Sequence, residues 1–123
     1  LSLRRTYIIN VANETHNQRA GRESLSKRLG KTARLIRERD SHACAYCGRT
    51  AKKSGAHLHL DHLTPKSLGG ADVASNLVLA CRRCNSARGA MTLSQWAAYS
   101  AVKFGLSFSP RAIRGQARRS LAC

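Results

Sequence analysis

Two cysteine pairs constrain this chain more than any other feature. Cys44-Ala-Tyr-Cys47 and Cys81-Arg-Arg-Cys84 each place two sulfurs on one tight turn, and Gly48 suits the first of these turns. Two such turns can close a tetrahedral four-sulfur site around a single zinc ion. Residues 48–80 lie between the pairs, more than a compact zinc ribbon holds, so the insert must fold by itself while the metal clamps its ends. Structural zinc contributes about 10–16 kcal/mol of apparent binding energy in small peptides, comparable to the whole stability of a small domain. The alternative is a set of buried, reduced thiols without metal. A site closed by four sulfurs has no open position for water, so this Zn2+ is expected to be structural and any chemistry must come from elsewhere.

Size and charge narrow the field further. A chain of 123 residues fits one domain. Aromatic residues make up only 5%, so bulky core material is scarce and a metal staple would help. Lys and Arg number 22 against 6 Asp and Glu, a net charge of +16. Four thiolates subtract four and a zinc ion adds two, leaving +14, still strongly basic. Such an excess favours a polyanionic partner, nucleic acid or an anionic membrane surface. No apolar run approaches the ~20 residues of a membrane span, and no basic segment has a strong lipid-facing stripe, so no membrane partner is expected. The stretch Tyr7–Ala12 is too short and polar for a secretory signal. Cysteines paired as C-x-x-C suggest metal binding in a reducing, cytoplasmic compartment rather than a disulfide framework. The chain opens on Leu1, as a processed chain or a fragment would.

Along the chain, residues 1–23 read as a basic arm with a short strand at Tyr7–Val11. Leu25, Leu29, Ala33 and Ile36 recur at helical spacing, interrupted by Gly30, so the firm helix is Lys31–Arg39. Lys27, Arg28, Lys31, Arg34, Arg37 and Arg39 are expected on the other faces of this helical stretch. Ala51–Gly55 reads as a loop. Leu58 and Leu60 alternate with His57, His59 and Asp61 in a strand pattern that Pro65 ends. Residues 67–72 have loop composition, and Leu77–Ala80 reads as a second strand. A short helix follows the second cysteine pair and ends by Gly89. Thr92-Leu93-Ser94-Gln95 has the form of a capping box. Its helix would present Leu93, Trp96, Ala97, Ala101 and Phe104 to the core and stop at Gly105. Ser109-Pro110 has the N-cap and N1 form of a further helix start, with Arg111, Arg114, Arg118 and Arg119 beyond.

The insert carries Asp61-His62-Leu63-Thr64-Pro65, then Gly69-Gly70, then Asn76-Leu77, then Cys81-Arg-Arg-Cys84-Asn85 and Arg88-Gly89. In this order the residues resemble the HNH endonuclease family, in its branch with two zinc knuckles. The resemblance covers roughly residues 34–92. It implies an α+β fold, a small ββα-metal unit with a structural four-cysteine zinc site, flanked by N- and C-terminal basic helices. The nuclease domain would span 24–92, between the arm at 1–23 and a C-terminal helical extension at 93–123. The implied activity is metal-dependent DNA endonuclease, nicking with low intrinsic sequence specificity. By the same resemblance, His62 is the general base, and Asp61 and Asn85 are ligands of the catalytic divalent ion. Asn76 braces the loop and helps fix the base, and Arg88 contacts phosphate. Arg82, Arg83, Lys66, Arg34 and Arg37 are further cations expected at nucleic acid.

The residue types fit this chemistry without the family name. Phosphodiester hydrolysis needs a water made nucleophilic near neutral pH, and imidazole, with a reference pKa of ~6.5, suits that role. It also needs a cation to offset charge on the phosphoryl oxygens and the leaving 3′-oxygen. One carboxylate and one amide offer only oxygen, which favours Mg2+ or Mn2+. Neighbours in a regular strand face opposite sides, so the strand is expected to end or twist at Asp61-His62. His57 and His59 read as solvent-facing strand residues, His16 as part of the arm, Trp96 and Tyr99 as core, and Cys123 as an incidental thiol. The competing functional class is a non-catalytic, zinc-stapled nucleic-acid-binding module, which would not require the set Asp61, His62, Asn76 and Asn85. The expected substrate is double-stranded DNA in a bacterial or phage setting, with any strong specificity supplied by a protein partner. The oligomeric state stays open.

Overall fold

The computed structural model describes residues 24–51 and 58–121. The expected arm with its strand, His16, most of the expected loop at 51–55, His57 and Cys123 lie outside the described residues. Two short helices come first, α1 (Leu25–Leu29) and α2 (Lys31–Arg39). Ser24 caps α1 by accepting from the Lys27 N–H at 3.1 Å. Gly30 separates the two helices with φ 50° and ψ −112°, a backbone that L side chains rarely adopt. Ala33 and Ile36 form the buried stripe of α2.

Strands β1 (His59–His62) and β2 (Leu77–Ala80) pair antiparallel, with His59 opposite Ala80 and His62 opposite Leu77. All four residues of β2 are buried, as its unbroken apolar run requires. Residues 63–76 connect the strands through two single 3-10 turns, Lys66–Leu68 and Ala74–Asn76. This long connection is held from within by Asn76. Its Oδ1 accepts from the Thr64 N–H at 2.8 Å, and its Nδ2 donates to the Thr64 carbonyl at 3.1 Å and the Ala71 carbonyl at 3.0 Å. Gly70 lies against the same Thr64 carbonyl, where any Cβ would collide with the oxygen. The loop therefore closes only with glycine at that position.

Helix α3 (Arg82–Arg88) follows β2 directly, so β1, β2 and α3 make a ββα unit in a small α+β fold. Helix α4 (Leu93–Phe104) starts at a true capping box, with Thr92 and Gln95 each accepting from the other's backbone, and stops at Gly105. Its buried face is Leu93, Trp96 and Ser100, not the expected line through Ala101, which is exposed. Ser100 can be buried because its hydroxyl donates to the Ala97 carbonyl at 3.3 Å. Helix α5 (Pro110–Ala117) is capped by Ser109 and adds Ile113 and Ala117 to the core. At the centre sits Trp96, fully buried among Tyr46, Phe104 and Phe108, with ring centroids 5.7, 6.3 and 6.2 Å away. No described helix is long and apolar enough to cross a membrane.

The sulfurs of Cys44, Cys47, Cys81 and Cys84 lie within 4.8 Å of one another, and those of Cys47 and Cys81 are 3.7 Å apart. A tetrahedron with ~2.3 Å metal–sulfur bonds has edges of about 3.8 Å, so the cluster fits one such ion. Crowded thiols cannot all ionise alone. A hydrogen bond with Cys84 brings the Cys44 thiol down to about 5, and the same bond, with burial, drives Cys84 upward. The first turn is also tied to the sheet, since the Ala45 N–H donates to the Leu79 carbonyl at 2.8 Å.

Two of the arginines expected on the outer faces of α2 turn inward. Arg37 donates to the Leu58 carbonyl at 3.0 Å and to Ser26 Oγ at 2.9 Å. The Arg39 side chain is 2% exposed and pairs with the fully buried Asp40 carboxylate at 2.7 Å. Arg39 also donates to the carbonyls of Ala74, Leu77 and Ala117, joining α2, the loop, β2 and α5. Asp40 Oδ2 accepts from the Leu79 N–H at 2.9 Å. A guanidinium has five donors and no acceptor, so it suits a place where several backbone carbonyls converge. Removing one partner of a buried pair strands the other. Asp40→Ala is therefore expected to lower stability by about 3–5 kcal/mol, read as the shift in urea unfolding of the metal-loaded protein. A loss below about 1 kcal/mol would mean the pair is not a structural brace.

Candidate active site

Asp61 and His62 close β1, and the ladder stays regular up to them: Asp61 pairs with Val78 and His62 with Leu77. The strand ends at this pair, with its register unbroken through His62. Alternation therefore sends the two side chains in different directions. Asp61 turns inward. Its Oδ2 accepts from the Tyr46 hydroxyl at 2.5 Å and from Arg88 Nη1 at 2.7 Å. His62 turns to the connecting loop, where its Nε2 lies 2.7 Å from Asp72 Oδ1.

The Asp61 side is a closed network. Tyr46 is the third residue of the first cysteine turn, so the sulfur cluster fixes its position. Arg88 is the last residue of α3 and is 2% exposed. Besides Asp61, its guanidinium reaches the Tyr46 hydroxyl at 3.2 Å and the carbonyls of His62 at 2.9 Å, Leu63 at 2.7 Å and Met91 at 3.3 Å. Burial works most strongly against the Arg88 charge, but the facing Asp61 carboxylate and the Tyr46 hydroxyl together outweigh it and raise the guanidinium pKa. Burial and the same carboxylate push the Tyr46 phenol well above its ordinary range, so it stays a donor. Arg88 was expected to contact phosphate. The structure places it inside, with its donors directed to internal oxygens.

The His62 side is more open. Asp72 Oδ1 faces the imidazole, while its Oδ2 lies 3.3 Å from Lys66 Nζ and 3.6 Å from Arg28 Nη2. The bond with His62, assisted by Lys66, holds the Asp72 carboxyl below the usual range against a smaller burial effect. The His62 side chain is 18% exposed, so part of it meets solvent. Asp72 is the residue the sequence reading missed. It lies in a stretch of loop composition, and only the fold brings it back to His62.

Asn85 sits on α3, one turn before Arg88, which places it on the same side of the helix as the partner of Asp61. With Ser24, Leu25, Arg37, Leu58 and His59 it lines a groove of about 380 Å³. His59 shares a strand face with Asp61. Asn76 lies in the loop, where it makes the three bonds described above. Of the other cations expected at nucleic acid, Arg34, Lys66, Arg82 and Arg83 are exposed, and Arg37 is half-buried in its bonds to Leu58 and Ser26. The Arg83 guanidinium lies over the Phe104 ring, 5.3 Å from its centroid.

Comparison with known proteins agrees with this geometry. Residues 44–90 match the family model described as HNH endonuclease. The chain is also 31% identical over 67 residues to the CRISPR-associated endonuclease Cas9 of Corynebacterium diphtheriae. That match covers 54% of this chain and 6% of the relative, so the chain spans only a small part of the relative's length. No solved structure matches the chain. The four-cysteine cluster, the ββα unit that it closes and the matched segment coincide, and residues 44–90 of this chain are similar throughout to the HNH endonuclease domain.

Proposed function

We propose that this chain is a metal-dependent DNA endonuclease that nicks duplex DNA with low intrinsic sequence specificity. The observation that carries this reading is the placement of Asp61 and His62 at one strand end, pointing apart. In-line displacement puts the attacking water and the leaving oxygen on opposite sides of phosphorus. A base and an ion site that diverge from one strand end suit that requirement.

His62 takes a proton from the attacking water. Asp61 Oδ2 is taken by Tyr46 and Arg88, so Asp61 through Oδ1, together with the Asn85 amide oxygen, would hold a divalent cation, for which these oxygen donors favour Mg2+ or Mn2+. When bound, that cation offsets charge on the phosphoryl oxygens and the leaving 3′-oxygen. Tyr46 and Arg88 fix the Asp61 carboxylate from behind. Asn76 keeps the connecting loop closed, so that the end of β1 and its two side chains hold their places. Exposed Arg34, Lys66, Arg82 and Arg83 meet the phosphate backbone, in keeping with the net charge of +16. The sulfur cluster would hold zinc, whose preference for four thiolates matches the donor set, and it takes no part in the reaction.

Two outcomes test this reading. With Mg2+ or Mn2+ the protein should convert supercoiled plasmid to the open circle, and chelation should stop it. His62→Ala should lose at least about 100-fold in rate while keeping its fold and its retention of DNA in a gel. Nicking by that variant at the parental rate would sink the base assignment. Separately, Cys81→Ser should lose zinc and cooperative folding together, measured by metal analysis and circular dichroism, because zinc binding and folding share one free energy. A folded, active Cys81→Ser protein would refute the clamp.

A further inference from the structure

The contact between His62 and Asp72 decides which ring nitrogen can act. Nε2 lies 2.7 Å from Asp72 Oδ1. A carboxylate only accepts, so Nε2 carries a proton and donates it. In a neutral imidazole the lone pair then resides on Nδ1. Taking His62 as the base in the reading above, we propose that Asp72 is its positioning residue: it fixes the Nε2–H tautomer and presents Nδ1 to the attacking water.

Three features make Asp72 a firm anchor. Its Oδ2 is held by Lys66 at 3.3 Å and faces Arg28 at 3.6 Å, which leaves Oδ1 directed at the ring. The preceding residue is pinned, since Asn76 Nδ2 donates to the Ala71 carbonyl at 3.0 Å. The loop around it closes on Gly70, where no Cβ fits against Thr64. The backbone of His62 is equally fixed: its carbonyl accepts from Arg88 at 2.9 Å, and it pairs with Leu77 in the ladder. With both ends set, the ring has little freedom to turn, and the nitrogen away from Asp72 is left for chemistry. This divides the loop's polar groups by role. Asn76 shapes the loop, and Asp72 aims the imidazole from it.

The test uses the zinc-loaded full chain without DNA, with histidine labelled by 15N, above the pH range in which imidazole is protonated. The His62 signals are assigned by their absence in His62→Ala. We expect a protonated Nε2 with a slowly exchanging N–H proton and an unprotonated Nδ1. In Asp72→Ala that proton should exchange fast and both tautomers should appear. Asp72→Asn, whose Oδ1 still accepts, should keep the N–H signal. In plasmid nicking at saturating metal, Asp72→Ala should lower kcat roughly 10- to 100-fold with KM nearly unchanged, and Asp72→Asn should recover part of the loss. A parental ring protonated on Nδ1, or an N–H signal that survives Asp72→Ala, would overturn the positioning role. So would an unchanged kcat. If His62→Ala still nicks, the base assignment falls, yet the spectra decide independently whether Asp72 sets the ring.

Discussion

A guanidinium that is 2% exposed must direct its donors to protein oxygens, and at Arg88 this requirement organises the surroundings. The acceptors come from the first cysteine turn, the end of β1, the start of the connecting loop and Met91 in the turn beyond α3. No two of these segments could shift independently without leaving a buried polar group unpaired. The arrangement also accommodates the Asp61 side chain. A carboxylate 9% exposed is tolerable because a buried cation and a phenol face it. Arg39 does the same on the other side of β2, drawing α2, the loop and α5 to one guanidinium. In a chain this basic, two of the cations act as internal fasteners and never reach the surface.

Much of this was legible in the sequence, for reasons that are local. Capping at Thr92 and Ser109, the breaks at Gly30 and Gly105 and the apolar run at Leu77–Ala80 each follow from the conformational preferences of a few neighbouring residues. The C-x-x-C spacing likewise foretold that four sulfurs would meet. What stayed hidden depends on contacts between distant segments. An arginine next to a glycine at a helix end looks like a surface cation, and nothing in the sequence around Arg88 reveals the carbonyls it meets. Arg39 misleads in the same way. Asp72 reads as loop composition until Asn76 and Gly70 fold the loop back on His62. Ser100 replaces Ala101 in the core because a helical hydroxyl can bond to its own backbone, an option that hydropathy does not register.

The sulfur cluster and the Asp61–His62 pair are joined through one side chain, Tyr46. The residue between two metal-binding cysteines is usually free to vary in type, since only the turn matters. Here it is a phenol that reaches Asp61 and packs edge-on against Trp96, 5.7 Å between centroids. Such a ring pair adds about 0.5–1.5 kcal/mol beyond burial. The turn that carries Cys44 and Cys47 therefore also sets the position of the Asp61 carboxylate, which gives the sulfur cluster and the end of β1 a direct mechanical link.

The aromatic core described above also bears on where this molecule can be divided. Segment 44–90 contributes Tyr46 to that cluster, while Trp96, Phe104 and Phe108 all come from beyond it. The Ala117 carbonyl accepts from Arg39, well before the segment begins. The part that carries the family signature is thus smaller than the part that shares one core. Grafted into another protein as a cassette, residues 44–90 would keep the β1–β2 ladder but arrive with an uncovered hydrophobic floor beneath Tyr46 and a β2 edge stripped of Arg39 and Asp40. Outside this chain, that segment would need another wall of aromatic or aliphatic side chains against the floor that Trp96, Phe104 and Phe108 cover here.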